Sequence, residues 1–226
     1  MHLCVSVGES TVVQCRELLQ CTAFAEVRLD LIDDLSPVDV KHLFCKGRRT
    51  IATCRTGRFT EAERLALLAA AIEAGAAFVD LDLDSDLKRG ATLFVRSLLP
   101  FAQRHQCRLI ASRHFFDGLP SDRILFTTVR RLSTFEPAFI KVASRVETET
   151  EVLRLLALML LDERVVPVGM GPWGAVSRAA ALVLGAPFTY VSPEKGRSTA
   201  PGQPDSTLVR MLRHQMEKTL TSSFAS

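Results

Sequence analysis

The chain has 226 residues, of which 47% are hydrophobic and 23% are charged, and its mean hydropathy is +0.17. A chain of this length and composition can bury the core of one globular domain, and we expect residues 1–226 to form a single domain. The 28 Lys and Arg against 25 Asp and Glu leave a formal net charge of only +3, with arginines scattered among acids, so no basic surface suited to nucleic acid is predicted.

Neither secretion nor membrane insertion is predicted. The first residues, Met1 to Cys4, show no basic start and no long apolar run, and charges interrupt the other apolar windows before they could span a bilayer. The six cysteines form no C-x-x-C pair, and several lie in apolar stretches, where a reduced thiol behaves as a small hydrophobe. These features are typical of a protein of the reducing cytoplasm.

Short apolar runs typical of β-strands alternate eight times with longer helical patterns. Most of these runs are nearly continuous in hydrophobic residues, as expected of a parallel sheet that is covered on both faces. In chain order, each strand with the helix after it, the predicted elements are Leu3–Val7 and Thr11–Leu19, Ala25–Asp30 and Val38–Phe44, Thr50–Cys54 and Arg64–Ala74, Phe78–Leu83 and Thr92–Arg104, Arg108–Ser112 and Asp122–Leu132, Phe139–Ala143 and Thr148–Leu161, Val165–Met170 and Ala175–Leu184, and Phe188–Val191 and Ser206–Leu220.

Helix starts and the strand count together indicate the fold class. Ser36 and Pro37 precede the second helix, and Thr60 with Glu63 predicts a capping box before the third helix, which Gly75 would end. Eight strand–helix units in this length favour a single-domain (β/α)8 TIM barrel over an open doubly wound sheet. No strand is followed by a Gly-x-Gly-x-x-Gly or P-loop sequence that would bind a nucleotide phosphate.

Lys141 is the first candidate for chemistry. It interrupts the apolar strand Phe139–Ala143, whose neighbours would exclude water from the ammonium group. Desolvation disfavours the charged form and makes the neutral amine available as a nucleophile toward a ketone. The alternative interpretation is a structural ion pair with an acid on an adjacent strand, such as Asp80 or Asp82.

His114 follows the predicted strand Arg108–Ser112, and the next strand of the barrel carries Lys141. The carboxyl ends of adjacent strands lie within reach of one substrate, and a histidine can remove a proton and return it within one cycle. The alternative is an ordinary loop or cap residue.

Charged residues also alternate with hydrophobic ones on two other strands. Glu26, Arg28 and Asp30 would face one side of the sheet, where they would either pair with one another or contact a polar ligand. Arg55 fits a ligand-binding arginine or a strand terminus. We predict structural pairing for a second alternating set, which consists of Asp80, Asp82 and Asp84.

Two glycine-containing segments lie near the predicted strand ends. The segment from Gly169 to Gly174 would let the backbone approach a ligand closely, and Arg178 can offer a planar fork to a carboxylate. The segment from Lys195 to Gln203 is typical of a mobile loop that closes over a substrate, or of an ordinary surface loop.

These residues together resemble the type I 3-dehydroquinate dehydratases of the shikimate pathway. The matching elements occur in family order over almost the whole chain. They are Val5-Ser6, Glu26-x-Arg28-x-Asp30, Thr53-Cys54-Arg55-Thr56, Asp80-x-Asp82, Ser112-x-His114, Phe139-Ile140-Lys141-Val142-Ala143, Met170 with Gly174-x-x-Ser177-Arg178, and Ala200-Pro201-Gly202-Gln203.

The resemblance implies dehydration of 3-dehydroquinate to 3-dehydroshikimate through a covalent imine, without a metal or organic cofactor. Lys141 would condense with the substrate ketone, and His114 would transfer protons. The implied roles of the other residues are a carboxylate site of Arg178, Gln203 and Thr199, contacts of Glu26, Arg28 and Arg55 with ring hydroxyls, a contribution from Ser6, and an apolar wall formed by Met170.

The chain departs from the family pattern at two positions. Many relatives carry Glu-Gly-Gly shortly after the arginine of strand three, and this glutamate helps to orient the histidine. Here the run from Arg55 continues to Glu61 in a shifted register, so the role is not transferred to Glu61. The serine usual before Ala-Pro-Gly-Gln is Thr199, which keeps the hydroxyl.

Other functions compete with this interpretation. A class I aldolase would use the same lysine, but the phosphate site that such enzymes commonly need after strands seven and eight is missing. A non-catalytic barrel would require an ion-paired Lys141 and a filled cleft. The resemblance also leaves open a homodimer, and a fusion to shikimate dehydrogenase, because the polar residues from Thr219 to Ser226 fit either an end or the start of a linker.

Overall fold

A computed structural model describes residues 2–83, 92–193, 199 and 203–223 of the chain. Within them, eight parallel strands form one sheet in the order β7-β6-β5-β4-β3-β2-β1-β8. The strands are β1 (His2–Val7), β2 (Phe24–Arg28), β3 (Arg49–Thr53), β4 (Phe78–Asp82), β5 (Arg108–Phe115), β6 (Phe139–Arg145), β7 (Val165–Met170) and β8 (Phe188–Val191).

The helices of the described residues lie between and after these strands. They are α1 (Val12–Gln20), α2 (Pro37–Val40), α3 (Glu61–Ala74), α4 (Thr92–Arg104), α5 (Asp122–Ser133), α6 (Glu149–Leu156), α7 (Gly174–Val183) and α8 (Ser206–Ser223). This order of strands and helices, in a nearly closed sheet, confirms the predicted (β/α)8 barrel. Among the described helices, none is both long and apolar enough to cross a membrane.

The side chains inside the barrel are arranged in layers because alternate residues of each strand point inward. The first inward position of each even-numbered strand is a phenylalanine, and the rings contact one another with centroids 5.1 to 6.2 Å apart. These four residues, which we call the phenylalanine floor, are Phe24, Phe78, Phe139 and Phe188. Above the floor lie buried residues of the odd-numbered strands, namely Cys4, Ile51, Ile110 and Val166.

The next inward layer of the even-numbered strands is polar. Two positions beyond each phenylalanine lie Glu26, Asp80, Lys141 and Tyr190, all of them buried. The hydrophobic floor therefore closes the amino-terminal end of the barrel, and the polar layer faces the carboxyl-terminal end.

The barrel is joined differently at the seam between β7 and β8. These strands contact each other, but the ladder of hydrogen-bonded neighbours in the described residues ends with β7 on one side and β8 on the other. The buried guanidinium of Arg178 on α7 bridges them, because Nε donates to the Gly169 carbonyl at 3.0 Å and Nη1 donates to the Tyr190 carbonyl.

Several element boundaries differ from the prediction. β2 ends at Arg28, and Asp30 lies in a 3-10 turn that follows it, so Asp30 does not continue the strand. β5 continues to Phe115, because its pairing with β6 extends to Phe115 opposite Ser144, and His114 therefore lies within the strand rather than after it. The second helix has only four residues, Pro37–Val40, and the sixth changes to a 3-10 turn after Leu156.

The capping predictions for the third helix are confirmed. The Thr60 hydroxyl accepts from the Glu63 backbone N–H, and the Glu63 carboxylate accepts from the Thr60 backbone N–H, as a capping box requires. Gly75 ends the helix with a φ of 108°, a left-handed conformation that favours glycine. These contacts fix the helix that follows β3 and Arg55.

Candidate active site

A cavity of about 400 Å³ lies above the polar layer, at the carboxyl ends of the strands. The predicted site residues come from the strands β1, β2, β5, β6 and β7 and from the segments that follow β3, β7 and β8, yet every one of them lines this cavity. They are Lys141, His114, Ser6, Glu26, Arg28, Arg55, Met170, Arg178, Thr199 and Gln203.

Lys141 lies on the wall of this cavity between two carboxylates. Its Nζ donates to Glu26 Oε1 at 3.2 Å and to Asp80 Oδ2 at 3.0 Å, and it lies 3.8 Å from the centroid of the Tyr190 ring. Only 5% of the residue is exposed. The ion pair considered as an alternative is therefore present with Asp80, but the space in front of the ammonium is open.

The two carboxylates have different surroundings. Glu26 accepts hydrogen bonds from the hydroxyls of Ser6 at 2.8 Å and Thr53 at 3.1 Å, so its other partners are neutral. Asp80 also pairs with the Arg55 guanidinium at 3.0 Å. Burial alone would raise the pKa of Asp80, but Arg55 and Lys141 outweigh burial and hold it well below its usual range.

His114 lies on β5, between an acid and a guanidinium. Its Nδ1 is 3.0 Å from Asp82 Oδ2, its Nε2 is 3.5 Å from an Arg55 nitrogen, and its ring stacks on Phe116. Burial, followed by the charge of Arg55, lowers the pKa of His114 from 6.5 to about 4, although Asp82 opposes this. His114 is therefore neutral near pH 7 and can act as a base.

Arg178 reaches the cavity while its Nε and Nη1 bind the two strands of the seam. Burial lowers its pKa to about 10, and no carboxylate of the described residues lies within ion-pair distance of it. Gly169 lets α7, which carries Arg178, pack closely against β7, because a Cβ on residue 169 would lie 2.0 Å from the Ser177 hydroxyl oxygen of α7. The close approach predicted at this glycine is thus to a helix.

Arg28 and the residues after β8 complete the rim. Arg28 forms a two-pronged ion pair with Asp30, and its Nη1 donates to the Thr199 carbonyl at 3.3 Å. The Gln203 side-chain oxygen accepts from the backbone N–H and the hydroxyl of Thr199. The rest of the predicted loop, residues 195–198 and 200–202, lies outside the described residues, as does Asp84.

Sequence reasoning did not assign several residues to this site. The pairing predicted for Asp80 and Asp82 exists: Asp80 pairs with Lys141, as the alternative interpretation of that lysine considered, and with Arg55, and Asp82 pairs with His114. The signal was the alternation on β4, which places both acids at inward positions beside the strand that carries His114. The other unassigned residues are Thr53, Ser112, Phe116 and Tyr190.

Comparison with known proteins supplies the deciding observation. The sequence model of the family described as Type I 3-dehydroquinase matches residues 3–219. The chain belongs to the type I 3-dehydroquinase family. A 3-dehydroquinate dehydratase of Methanothermobacter thermautotrophicus is 33% identical over 225 residues, covering 93% of this chain and 95% of the relative. One of Syntrophobacter fumaroxidans is 34% identical over 166 residues, covering 68% of this chain and 66% of the relative.

Solved structures agree with the fold of a type I 3-dehydroquinase. The crystal structure of 3-dehydroquinate dehydratase from Geobacillus kaustophilus superposes with a TM-score of 0.79 at 22% identity, covering 96% of this chain and 91% of that one. The predicted enzyme class, a hydro-lyase of the 3-dehydroquinate dehydratase type, is therefore confirmed by family and relatives.

Proposed function

We propose that this type I 3-dehydroquinase converts 3-dehydroquinate to 3-dehydroshikimate through an imine between Lys141 Nζ and the substrate ketone. The observation that carries the proposal is the position of Nζ, which lies beside an open cavity that His114 also lines. The reaction would serve the shikimate pathway to chorismate and the aromatic amino acids, in the cytoplasm.

Lys141 must lose a proton before its nitrogen can attack a carbonyl carbon. Asp80 keeps the contact with Arg55 when Lys141 becomes neutral, whereas the remaining hydrogen bonds to Glu26 come from the neutral hydroxyls of Ser6 and Thr53. Loss of the lysine charge therefore raises the proton affinity of Glu26 more than that of Asp80. In this proposal the proton passes from Nζ to Glu26.

The amine then adds to the ketone carbon and gives a carbinolamine. This intermediate expels its hydroxyl as water, with a proton supplied by Glu26, and leaves a protonated imine on Lys141. The positive nitrogen draws electrons from the adjacent carbon and so acidifies its C–H bond. His114, neutral near pH 7, accepts that proton.

The electron pair of the broken C–H bond moves through the enamine and expels the ring hydroxyl, which takes the proton held by His114 and leaves as water. Hydrolysis of the product imine consumes one water and regenerates the amine of Lys141. Because imine formation released one water, the net change is the loss of one water from the substrate.

The cavity rim supplies polar groups for the rest of the substrate. Arg178 has no carboxylate partner among the described residues, and Thr199 occupies the Gln203 oxygen, which leaves the Gln203 NH2 group as a donor. We assign the substrate carboxylate to Arg178, Gln203 and Thr199. Glu26, Arg28 and Arg55 would contact ring hydroxyls, with Ser6 beneath them and Met170 as the apolar wall.

The non-catalytic alternative accounts for less of the geometry. It requires both an ion-paired Lys141 and a filled cleft. The ion pairs with Glu26 and Asp80 are present, but the cavity above them has a volume of about 400 Å³. A purely structural ion pair does not explain this space, or why Arg178 faces it with no acid partner in the described part of the chain.

Reduction with borohydride tests the imine. We expect incubation of the protein with 3-dehydroquinate and sodium borohydride to add the mass of the reduced substrate to the peptide that contains Lys141. Lys141→Met should abolish both this adduct and formation of the conjugated enone product. His114→Asn should lower turnover roughly 10²- to 10⁴-fold and still allow the adduct to form.

Lys41→Met is the matched control, because Lys41 is an exposed lysine that pairs with Glu73 on the outside of the barrel. This variant should form the adduct and turn over as the wild type does. A wild-type protein that stays unmodified while it produces the enone, or an adduct that persists in Lys141→Met, would contradict the proposal.

A further inference from the structure

The two neighbours of His114 define the state of its imidazole ring. A carboxylate can only accept a hydrogen bond, so the contact of Nδ1 with Asp82 at 3.0 Å requires a proton on Nδ1. A guanidinium can only donate, so the contact of Nε2 with Arg55 at 3.5 Å requires a lone pair on Nε2. Both contacts select the same neutral tautomer, in which Nε2 is the basic atom.

We propose that Asp82 is the positioning residue that fixes the ring and tautomer of His114 so that Nε2 takes the substrate proton. This inference rests on the proposed function, because it concerns the proton transfer that follows imine formation. Asp82 and His114 lie on the neighbouring strands β4 and β5, and both side chains are shielded, with 13% and 11% exposed.

Asp82 also matters after the proton has moved. The imidazolium then carries a positive charge next to the Arg55 guanidinium, which repels it. The Asp82 carboxylate offsets this repulsion by direct contact, since it lies against Nδ1. Without it, the proton would be held too weakly at Nε2 to be removed from carbon and then delivered to the leaving hydroxyl.

Glu61, the acid that follows Arg55 along the chain, does not contact the His114 imidazole. Glu61 begins α3, where its carboxylate binds Arg64 Nη1 at 2.7 Å and is 44% exposed. Arg64 in turn donates to the Cys54 carbonyl, which anchors this ion pair at the start of the helix. Glu61 thus stabilises the end of α3, and Asp82 is the carboxylate in contact with His114.

Asp82→Asn separates this role from substrate binding and folding. The variant keeps the size of the side chain but loses its charge, so we expect kcat to fall on the order of 10²-fold or more, with KM within about threefold of the wild type. The borohydride adduct at Lys141 should still form. The acid limb of kcat/KM should move to lower pH, because the anion that favours the imidazolium is gone.

Two further variants complete the experiment. Asp82→Glu keeps the charge and should recover at least part of the lost turnover, together with an acid limb close to that of the wild type. Glu61→Gln is the matched control and should leave kcat and the pH profile unchanged. Thermal unfolding of each variant identifies losses of activity that are due to misfolding. If Asp82→Asn does not fold, the kinetics of Asp82→Glu test the role of Asp82 instead.

The outcomes are distinct from those that test the imine. Wild-type turnover in Asp82→Asn, a raised KM with unchanged kcat, or an equal loss in Glu61→Gln would overturn the role of Asp82. An unmodified wild-type protein would instead contradict the imine at Lys141. An Asp82→Glu variant that folds but stays as inactive as Asp82→Asn, with no recovery of the acid limb, would also overturn the inference.

Discussion

Burial of Lys141 among charged groups is stable only because the charges are balanced. Isolated charges inside a protein cost several kcal/mol each, and removal of one partner leaves the other uncompensated. Here Lys141 and Arg55 face Glu26 and Asp80 at 3.0 to 3.2 Å, and hydroxyl groups satisfy further oxygen atoms of the acids. The arrangement holds a buried amine in a group of two cations that face two acids.

The pH dependence of activity follows from the surroundings of His114. Because burial and Arg55 lower its pKa to about 4, the base is neutral over a wider pH range than an ordinary histidine. We expect the acid limb of kcat/KM, which reports the free enzyme, to have an apparent pKa near 4. Initial rates of enone formation between pH 3.5 and 8, in the range where the protein stays folded, measure this value.

A limb near pH 6.5, the ordinary value for histidine, would show that the imidazole is solvated in the working enzyme. His114→Asn supplies the comparison, since its residual activity should not follow that limb.

The sequence predicted which residues belong to the site better than it predicted which side chains they contact. Lys141 was identifiable because it interrupts an apolar strand, and His114 because it follows the predicted strand next to the one that carries Lys141. The contacts of Asp80 with Arg55 and of Asp82 with His114 were not, because a strand pattern gives the side a residue faces but not which neighbour it meets. That depends on register, here Asp82 opposite Ser112, and on the tilt of the strands around the barrel.

Close contact between β7 and α7 sets the position of Arg178. A Cβ on Gly169 would lie 2.0 Å from the Ser177 Oγ and 2.9 Å from its Cβ, so the helix packs where only glycine leaves room. The glycine leaves room for the helix, the helix carries Arg178, and Arg178 bridges β7 and β8.

Gly169→Ala should therefore destabilise the protein by roughly 1–3 kcal/mol, the usual cost of overpacking. It should also raise KM, because α7 must move and Arg178 moves with it. Urea unfolding measures the stability change, and steady-state kinetics measures KM.

A double-mutant cycle with Ser177→Gly isolates the contact. The second substitution removes the two nearest atoms that the new methyl group would meet and leaves Val146 Cγ2 at 3.0 Å, so the double variant should lose less stability than the sum of the single variants. Additive losses would show that the methyl group is accommodated elsewhere.

Element boundaries were less predictable than element types. The capping box of α3 was readable because its residues bond within four positions of one another. The extension of β5 to Phe115 was not, because it depends on pairing with β6, whose residues lie far along the chain. β2 also stops earlier than predicted, at Arg28, and Asp30 pairs with Arg28 from the 3-10 turn that follows.

The site also affects the stability of the whole molecule. Below the ordinary histidine pKa of 6.5 the unfolded chain binds a proton at residue 114, whereas the folded chain does not until about pH 4. The unfolded state therefore binds more protons in this window, and stability falls as pH drops through it. The buried Asp80, with a lowered pKa, acts in the same direction only below about pH 4.

We expect the melting temperature of the wild type to fall between pH 6.5 and pH 4.5. In His114→Asn this fall should be smaller, because the residue that takes up the proton in the unfolded state is absent. Thermal unfolding at pH 7.5 to 8.5, where neither protein titrates residue 114, provides the reference. If the melting temperatures of the wild type and of His114→Asn fell equally between pH 6.5 and pH 4.5, the lowered pKa assigned to His114 would be contradicted.

The phenylalanine floor limits the routes by which small molecules can reach Lys141. Its four rings, with Cys4, Ile51, Ile110 and Val166 above them, fill the far end, so in the described part of the chain Lys141 has no second access from below. Substrate, product and the released water must therefore enter and leave through the same opening, at the carboxyl ends of the strands. Product that lingers there blocks the next substrate molecule, so product inhibition should be competitive.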